Sequence, residues 1–204
     1  MKLLYGVGIY DLRDDPNHST KKTVDGKIVW RCPFYKKWYD ILTRCYSKIR
    51  LQKKPQYRGC SVCEEWKTFS NFMAWMKTQS WEGKCLDKDI LIPGNKVYSP
   101  ENCVFVSDSL NKLLPNCFSK RGKYPVGVSF RKDTSKFQAK ITKFGKYTNI
   151  GHFKTPEEAH EAYKKERSKY ILEIAQNLTE NDTSDIERTR QGLIRHVKEG
   201  HVFK

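Results

Sequence analysis

From Pro33 the apolar positions Trp38, Ile41, Leu42 and Cys45 recur at three- and four-residue intervals, with Lys36, Lys37 and Arg44 between them. That spacing predicts an amphipathic helix of about three turns. Lys53-Lys54-Pro55 then marks a loop. A second helix is predicted over about residues 61–77, where Trp66, Phe69, Phe72, Met73 and Met76 share a face. Their interval is that of a buried helical stripe rather than of a base-stacking platform. Next come a short strand at 86–91, a turn at Pro93-Gly94-Asn95, a second strand at 98–106 and a short helix at 107–114. Together they predict a compact ββα unit.

Farther along, strand-like runs at 126–132, 136–143 and 146–153 are separated by Asp133-Thr134-Ser135 and Phe144-Gly145. In the middle run Phe137, Ala139 and Ile141 alternate with Gln138, Lys140 and Thr142, so one face is apolar and the other polar and basic. The apolar face needs a cover, and Thr155-Pro156-Glu157-Glu158 begins one. Thr155 caps the helix, Pro156 suits its first position and Glu158 completes a capping box, with Ala159, Ala162 and Tyr163 turned to the sheet. Residues 183–199 predict a last helix with Ile186, Leu193, Ile194 and Val197 on one side, packed on the protein or on a partner. Nothing in its spacing demands a recognition helix built on Arg188, Arg190 and Arg195. Residues 1–29 mix Gly, Asp, Asn and Lys and are expected to form an extended arm or irregular hairpin. The expected class is therefore α+β: an arm (1–29), a ββα module with flanking helices (30–114), a basic linker (115–123), a three-stranded antiparallel sheet packed on one helix (124–176), and a carboxyl-terminal helix or tail (177–204).

Charge changes this picture most. The chain carries 39 Lys+Arg against 23 Asp+Glu, a formal +16. Residues 120–154 hold ten Lys/Arg and a single acid, Asp133. Such a stripe attracts phosphates and displaces counterions, which points to nucleic acid ahead of an acidic membrane surface. No apolar run reaches the length of a membrane span, and residues 1–6 are too short for a signal-peptide core, so a cytoplasmic protein is expected. Seven cysteines are an odd set there, more consistent with thiols or metal ligands than with disulfides. Cys60 and Cys63 have the separation of a zinc knuckle, and Cys45 with Cys103 would complete four thiolates around a structural Zn²⁺. A second closely spaced pair is absent, and the alternative is small cysteines packed under Trp38 and Trp66.

Tyr124, Val126-Gly127-Val128, Phe137, Ala139, Ile141, Ile150-Gly151, Phe153, Thr155 and Glu157-Glu158-Ala159 with Ala162-Tyr163 resemble the plant ethylene-response-factor (Apetala-two) DNA-binding domain. The resemblance implies that the exposed sheet face reads the major groove of double-stranded DNA. The family's reading places are held here by Ser129, Arg131, Lys140, Thr142, Tyr147 and Asn149, and only Arg131 keeps the family's arginine. Arg131 suits guanine and Asn149 adenine; Lys132, Lys136, Lys143 and Lys146 suit phosphate. RNA is the weaker expectation, because the polar face lacks the two or three exposed aromatics on which an RNA-binding sheet stacks bases.

A second resemblance spans roughly residues 5–176. Trp38, Arg44-Cys45-Tyr46, Val62-Cys63-Glu64-Glu65-Trp66, Phe69, Phe72, Leu86-Asp87-Lys88-Asp89-Ile90, residues 98–103 and Asn111 resemble phage-encoded HNH-type homing endonucleases with an Apetala-two domain at the carboxyl end. It implies a metal-dependent, site-selective DNA endonuclease in the host cell cytoplasm; a monomer is expected. Its site would use Mg²⁺ or Mn²⁺ held by Asp87 or Asp89 with Asn102 and Asn111. The position of the general base offers only Asp87, Lys88 and Asp89, and no histidine occurs between residues 19 and 151. The alternative is a DNA-binding regulator on the same scaffold, without catalysis.

Overall fold

The structure, a computed structural model, describes residues 3–114 and 123–201. Most of the linker and Cys117 lie outside the described residues. An antiparallel hairpin, β1 (Lys21–Val24) and β2 (Lys27–Arg31), turns through Asp25 and Gly26, both at positive φ. It leads into helix α1 (Pro33–Tyr46), which buries Trp38, Ile41, Leu42 and Cys45, the residues that set the expected period. Ser47 closes α1 and caps α2 (Lys48–Lys53) by accepting the Arg50 N–H.

The helix expected at 61–77 is three pieces: β3 (Ser61–Val62), α3 (Glu64–Lys67) and α4 (Phe69–Lys77). Thr68 leaves the helical conformation (φ −88°, ψ 126°) because the adjoining backbone pairs with a residue far off in sequence. Ile9 N–H donates to the Lys67 carbonyl at 2.8 Å, and Phe69 N–H donates to the Ile9 carbonyl at 2.9 Å. The apolar stripe survives the break, with Trp66, Phe69, Phe72 and Met76 all buried. Trp38 Nε1 ties α1 to α3 by donating to the Trp66 carbonyl at 2.7 Å.

In place of the two strands expected at 86–91 and 98–106, three shorter ones form: β4 (Cys85–Asp87), β5 (Val97–Tyr98) and β6 (Val104–Val106). β4 pairs antiparallel with β6, and β5 pairs parallel with β3. The first expected strand stops at Asp87 because its Oδ1 accepts the N–H groups of Asp89 and Ile90, both at 2.7 Å, and turns the chain. Helix α5 (Asp108–Asn111) follows, capped by Ser107.

The second half is a three-stranded antiparallel sheet in the order β7 (Val128–Arg131), β8 (Lys136–Lys143), β9 (Lys146–Phe153). It is covered by α6 (Pro156–Gln176), which opens with the full Thr155/Glu158 capping box. Ala159 and Tyr163 of α6 pack on Ala139 and Ile141 of the sheet. The later residues Tyr170, Ile171 and Ala175 belong to the same apolar cluster as Ile90, Val104, Val106 and Leu110 of the first half. A separate cluster beneath α1 and α4 holds Trp38, Trp66, Phe69 and Phe105.

The tail is part of this architecture. Thr183 bridges Val106 antiparallel, Ser107 N–H donates to the Asp182 carbonyl at 2.7 Å and Ser184 N–H to the Phe105 carbonyl at 2.8 Å. Residues 182–184 therefore extend the edge of the β4–β6 sheet. Helix α7 (Ile186–Lys198), capped by Asp185, then lies across residues 89–92 and against α6. Among the described residues no helix is long and apolar enough to cross a membrane.

Candidate nucleic-acid interface

Cross-strand partners in an antiparallel sheet share a face. Arg131 is opposite Lys136, Ser129 opposite Gln138, Gln138 opposite His152, Lys140 opposite Asn149 and Thr142 opposite Tyr147. All six positions matched to the family's readers, Ser129, Arg131, Lys140, Thr142, Tyr147 and Asn149, thus lie on the face away from α6. Lys136, Gln138 and His152 join them. A register shift at Ala139/Lys140 makes this grouping possible. Strict alternation from Asn149 would put Gly151 outward; the extra residue, Ile150, brings His152 there instead. His152 was thus hidden from a simple period of two.

Side-chain contacts organise the face. Arg131 grips Asp133 with both branches of its guanidinium, Nε to Oδ1 at 3.1 Å and Nη2 to Oδ2 at 3.0 Å. Arg131 in turn holds the Asp133 carboxyl below its ordinary range. Gln138 Nε2 donates to Asn149 Oδ1 at 3.2 Å, which fixes both amides and leaves the Asn149 NH₂ as a donor. The Lys140 ammonium stands 5.9 Å from the ring centre of Tyr147, itself 82% exposed. Lys132, just past β7, and Lys146, which opens β9, are exposed, but Lys146 is opposite Lys143 and so lies on the α6 side, away from the phosphate contacts expected on the open face. Lys143 also departs from the expected set of phosphate contacts. It is in phase with Ala139 and Ile141, on the α6 side, where its Nζ pairs with Glu166 at 2.5 Å and lies 5.9 Å from the Tyr170 ring centre.

The residues matched to a nuclease centre form a self-contained loop. The Asp87 carboxyl, besides accepting two backbone N–H groups, is pushed above its ordinary range by burial and by Asp89. Lys88 is buried, its ammonium donating to Asp89 Oδ1 at 2.6 Å and to the Asn95 carbonyl at 2.8 Å. Asn95, which sequence reasoning passed over as a turn residue, holds the loop through the Lys88 and Val97 carbonyls, both at 2.8 Å. Asn102 precedes β6 at the end of the sheet where Asp87 pairs with Val104, whereas Asn111 closes α5 after the opposite end. Asp87, Asp89, Asn102 and Asn111 do not fit a divalent metal in this arrangement: one carboxylate is capping backbone, and the other is neutralised by an ammonium. Among the described residues no three His, Cys, Asp or Glu side chains are grouped as a metal ion requires.

A histidine does reach this loop from α7. His196 Nε2 lies 2.8 Å from the Asp89 carbonyl, and the side chain is buried, which lowers its pKa. It therefore donates from a neutral ring and latches the helix to the loop. The arginines of α7 do the same kind of work: Arg195 donates to the Leu91 carbonyl at 3.0 Å, Arg190 to the Ala175 carbonyl at 3.1 Å, and Arg188 to that of Glu101. With its folded pKa below the unfolded value, His196 supports full stability above about pH 6.5 and loses its contribution as pH falls through the folded value. The midpoint of thermal unfolding should therefore drop between pH 7.5 and 5.5, and His196→Gln, which keeps a donor and cannot titrate, should flatten that slope. An equal slope in the variant would remove His196 from the account.

Cys45, Cys60 and Cys103 are buried in the apolar cluster with Trp38 and Trp66, and Cys63 is half-buried at the start of α3. Burial pushes the Cys45 thiol up to about 12 and raises those of Cys63 and Cys103. Among the described residues these cysteines are not grouped as a metal ion requires, so the four fit packing rather than a Zn²⁺ site. Compared with models of protein families, with curated proteins and with solved structures, the chain has no match.

Proposed function

We propose that the protein binds double-stranded DNA through the face of β7–β8–β9 turned away from α6, with Arg131 and Asn149 reading bases and Lys132, Lys136 and Lys140 holding phosphate. The observation that carries this reading is the convergence of nine polar or basic side chains on one uncovered face. That face lies within a segment holding ten cations and one acid. A twisted three-stranded ribbon of this kind enters a major groove, and phosphate contacts set its register while base contacts set its preference. Arg131 is oriented in advance by Asp133, which lowers the entropy cost of a bidentate contact to guanine.

The engaged state of Asp87, Lys88 and Asp89 favours a DNA-binding regulator over an endonuclease. Supercoiled plasmid incubated with the protein and Mg²⁺ or Mn²⁺ should remain intact. Nicking that disappears in Asp87→Ala would restore the endonuclease reading.

DNA affinity tests the sheet directly, first by selecting a preferred sequence from a random pool and then by titrating it against scrambled duplex. Arg131→Ala should reduce affinity for the preferred sequence by about 10- to 100-fold and narrow its advantage over scrambled DNA. Lys140→Ala should weaken every sequence alike and lower the salt slope by about one. Lys143→Ala, whose ammonium is committed to Glu166, should leave the slope unchanged. Loss from Lys143→Ala equal to that from Lys140→Ala would overturn the assignment of faces.

A further inference from the structure

The β1–β2 hairpin stands away from both apolar clusters, with every residue of both strands exposed. An isolated two-stranded ribbon is marginal in water, so one displayed this way calls for a role other than packing. Its charge is one-sided in sign: Lys21, Lys22, Lys27 and Arg31 against Asp25 at the tip. Lys21 and Arg31 are cross-strand partners and so share a face, and the Cys32 N–H extends the ladder to the Thr20 carbonyl at 2.8 Å. Where the hairpin meets the start of α1, these two cations line a groove of about 340 Å³ with Thr20, Lys36, Tyr35 and Tyr39. The groove thus presents two amines, one guanidinium, a hydroxyl and two phenol rings, and among the described residues no carboxylate lines it. None of Lys21, Arg31 and Lys36 is in an ion pair among the described residues. Tyr39 is fixed from behind by the Tyr5 hydroxyl, 3.0 Å away, and stacks beside Tyr35 with ring centres 6.2 Å apart. On the hairpin's other face Lys22 lies 5.8 Å from the ring centre of Trp30, itself 40% exposed.

Three unpaired cations converging on a concave site without acids would repel one another unless an anion sits between them, and a phosphodiester has the charge, size and acceptor geometry for that place. We propose that this groove is a second DNA-backbone site: Lys21, Arg31 and Lys36 clamp phosphate, and the hairpin lies along the duplex beside it. The proposal rests on the reading of the protein as a DNA binder but on none of the residues of the β7–β8–β9 face.

The test uses the full chain and a duplex long enough to extend well past the preferred site on both sides. The triple variant Lys21→Ala/Arg31→Ala/Lys36→Ala should lower the slope of log affinity against log salt by roughly 2 to 3. Hydroxyl-radical footprinting should show protection lost at one margin of the site while its centre persists. A charge-conserving Lys21→Arg/Lys36→Arg variant should keep both slope and footprint, and unchanged circular dichroism in the triple variant would show that these exposed substitutions leave the fold intact. If the wild type and the Arg131→Ala and Lys140→Ala variants behave as expected while the triple variant keeps the full slope and footprint, the hairpin site is overturned and the sheet reading stands. If the wild type fails to bind DNA, both fall.

Discussion

Gly192→Ala is expected to destabilise the protein by about 3 kcal/mol and to free α7 from the loop beneath it. Alanine is the better helix former by about 1 kcal/mol, so propensity alone predicts a gain. The contact decides otherwise. A Cβ at position 192 would stand 2.2 Å from the carbonyl oxygen of Ile90 and 2.9 Å from the Cα of Leu91. Both are backbone atoms, so no rotamer change relieves the clash. Overpacking of this kind costs about 1–3 kcal/mol. Moving the helix outward also strains the bonds of His196 to the Asp89 carbonyl and of Arg195 to that of Leu91, each worth about 1 kcal/mol. Denaturant unfolding followed by tryptophan fluorescence measures the loss, and amide exchange should rise over residues 186–198. Gln191→Ala, one residue away on the exposed side, should change stability by less than about 0.5 kcal/mol. A Gly192→Ala protein as stable as the wild type would mean that α7 does not cross at this point.

Gly127→Ala should have an effect of similar size at the other end of the molecule. Gly127 has φ +81°, and an added Cβ would lie 2.1 Å from the ring of Tyr163. Backbone strain at positive φ contributes about 1 kcal/mol and the clash with a buried ring a further 1–3 kcal/mol. The bond from Lys140 N–H to the Gly127 carbonyl, 2.9 Å, is weakened with them. Tyr163→Leu should recover part of the loss when combined with Gly127→Ala, and a double-mutant cycle on the midpoint of unfolding measures that coupling. Strict additivity would show that the two residues do not meet.

Elements whose stability is local were legible in the sequence. The apolar period named the buried face of α1 residue by residue, Thr155 and Glu158 announced the start of α6, and alternation in β8 told the covered face from the open one. What escaped depends on contacts between distant segments. Nothing near Thr68 reveals that Ile9 will break the helix there, and nothing in residues 182–184 marks them as an added strand until Val106 is beside them. The route of His196 to Asp89 spans 107 positions and is invisible to any spacing rule. Lys143 is a different lesson, because its phase with Phe137, Ala139 and Ile141 already assigned it to the helix side. Its charge suggested phosphate, and the phase was the better guide.

Helix α6 gives the molecule a property beyond cover for a sheet. Its first half closes one core and its second half is shared with Val104, Val106, Leu110 and Leu193, so the halves of the protein are joined by a rigid element of 21 residues, about 31 Å long. The Arg167 guanidinium, reaching from mid-helix to the Leu113 carbonyl at 2.6 Å, spans the same seam. The two ends of the molecule therefore move as one body, and any duplex held by both must match a fixed separation and a fixed helical phase. Inserting base pairs between two such contacts would cost binding in steps that follow the turn of the double helix, as a caliper set to one width meets a screw thread.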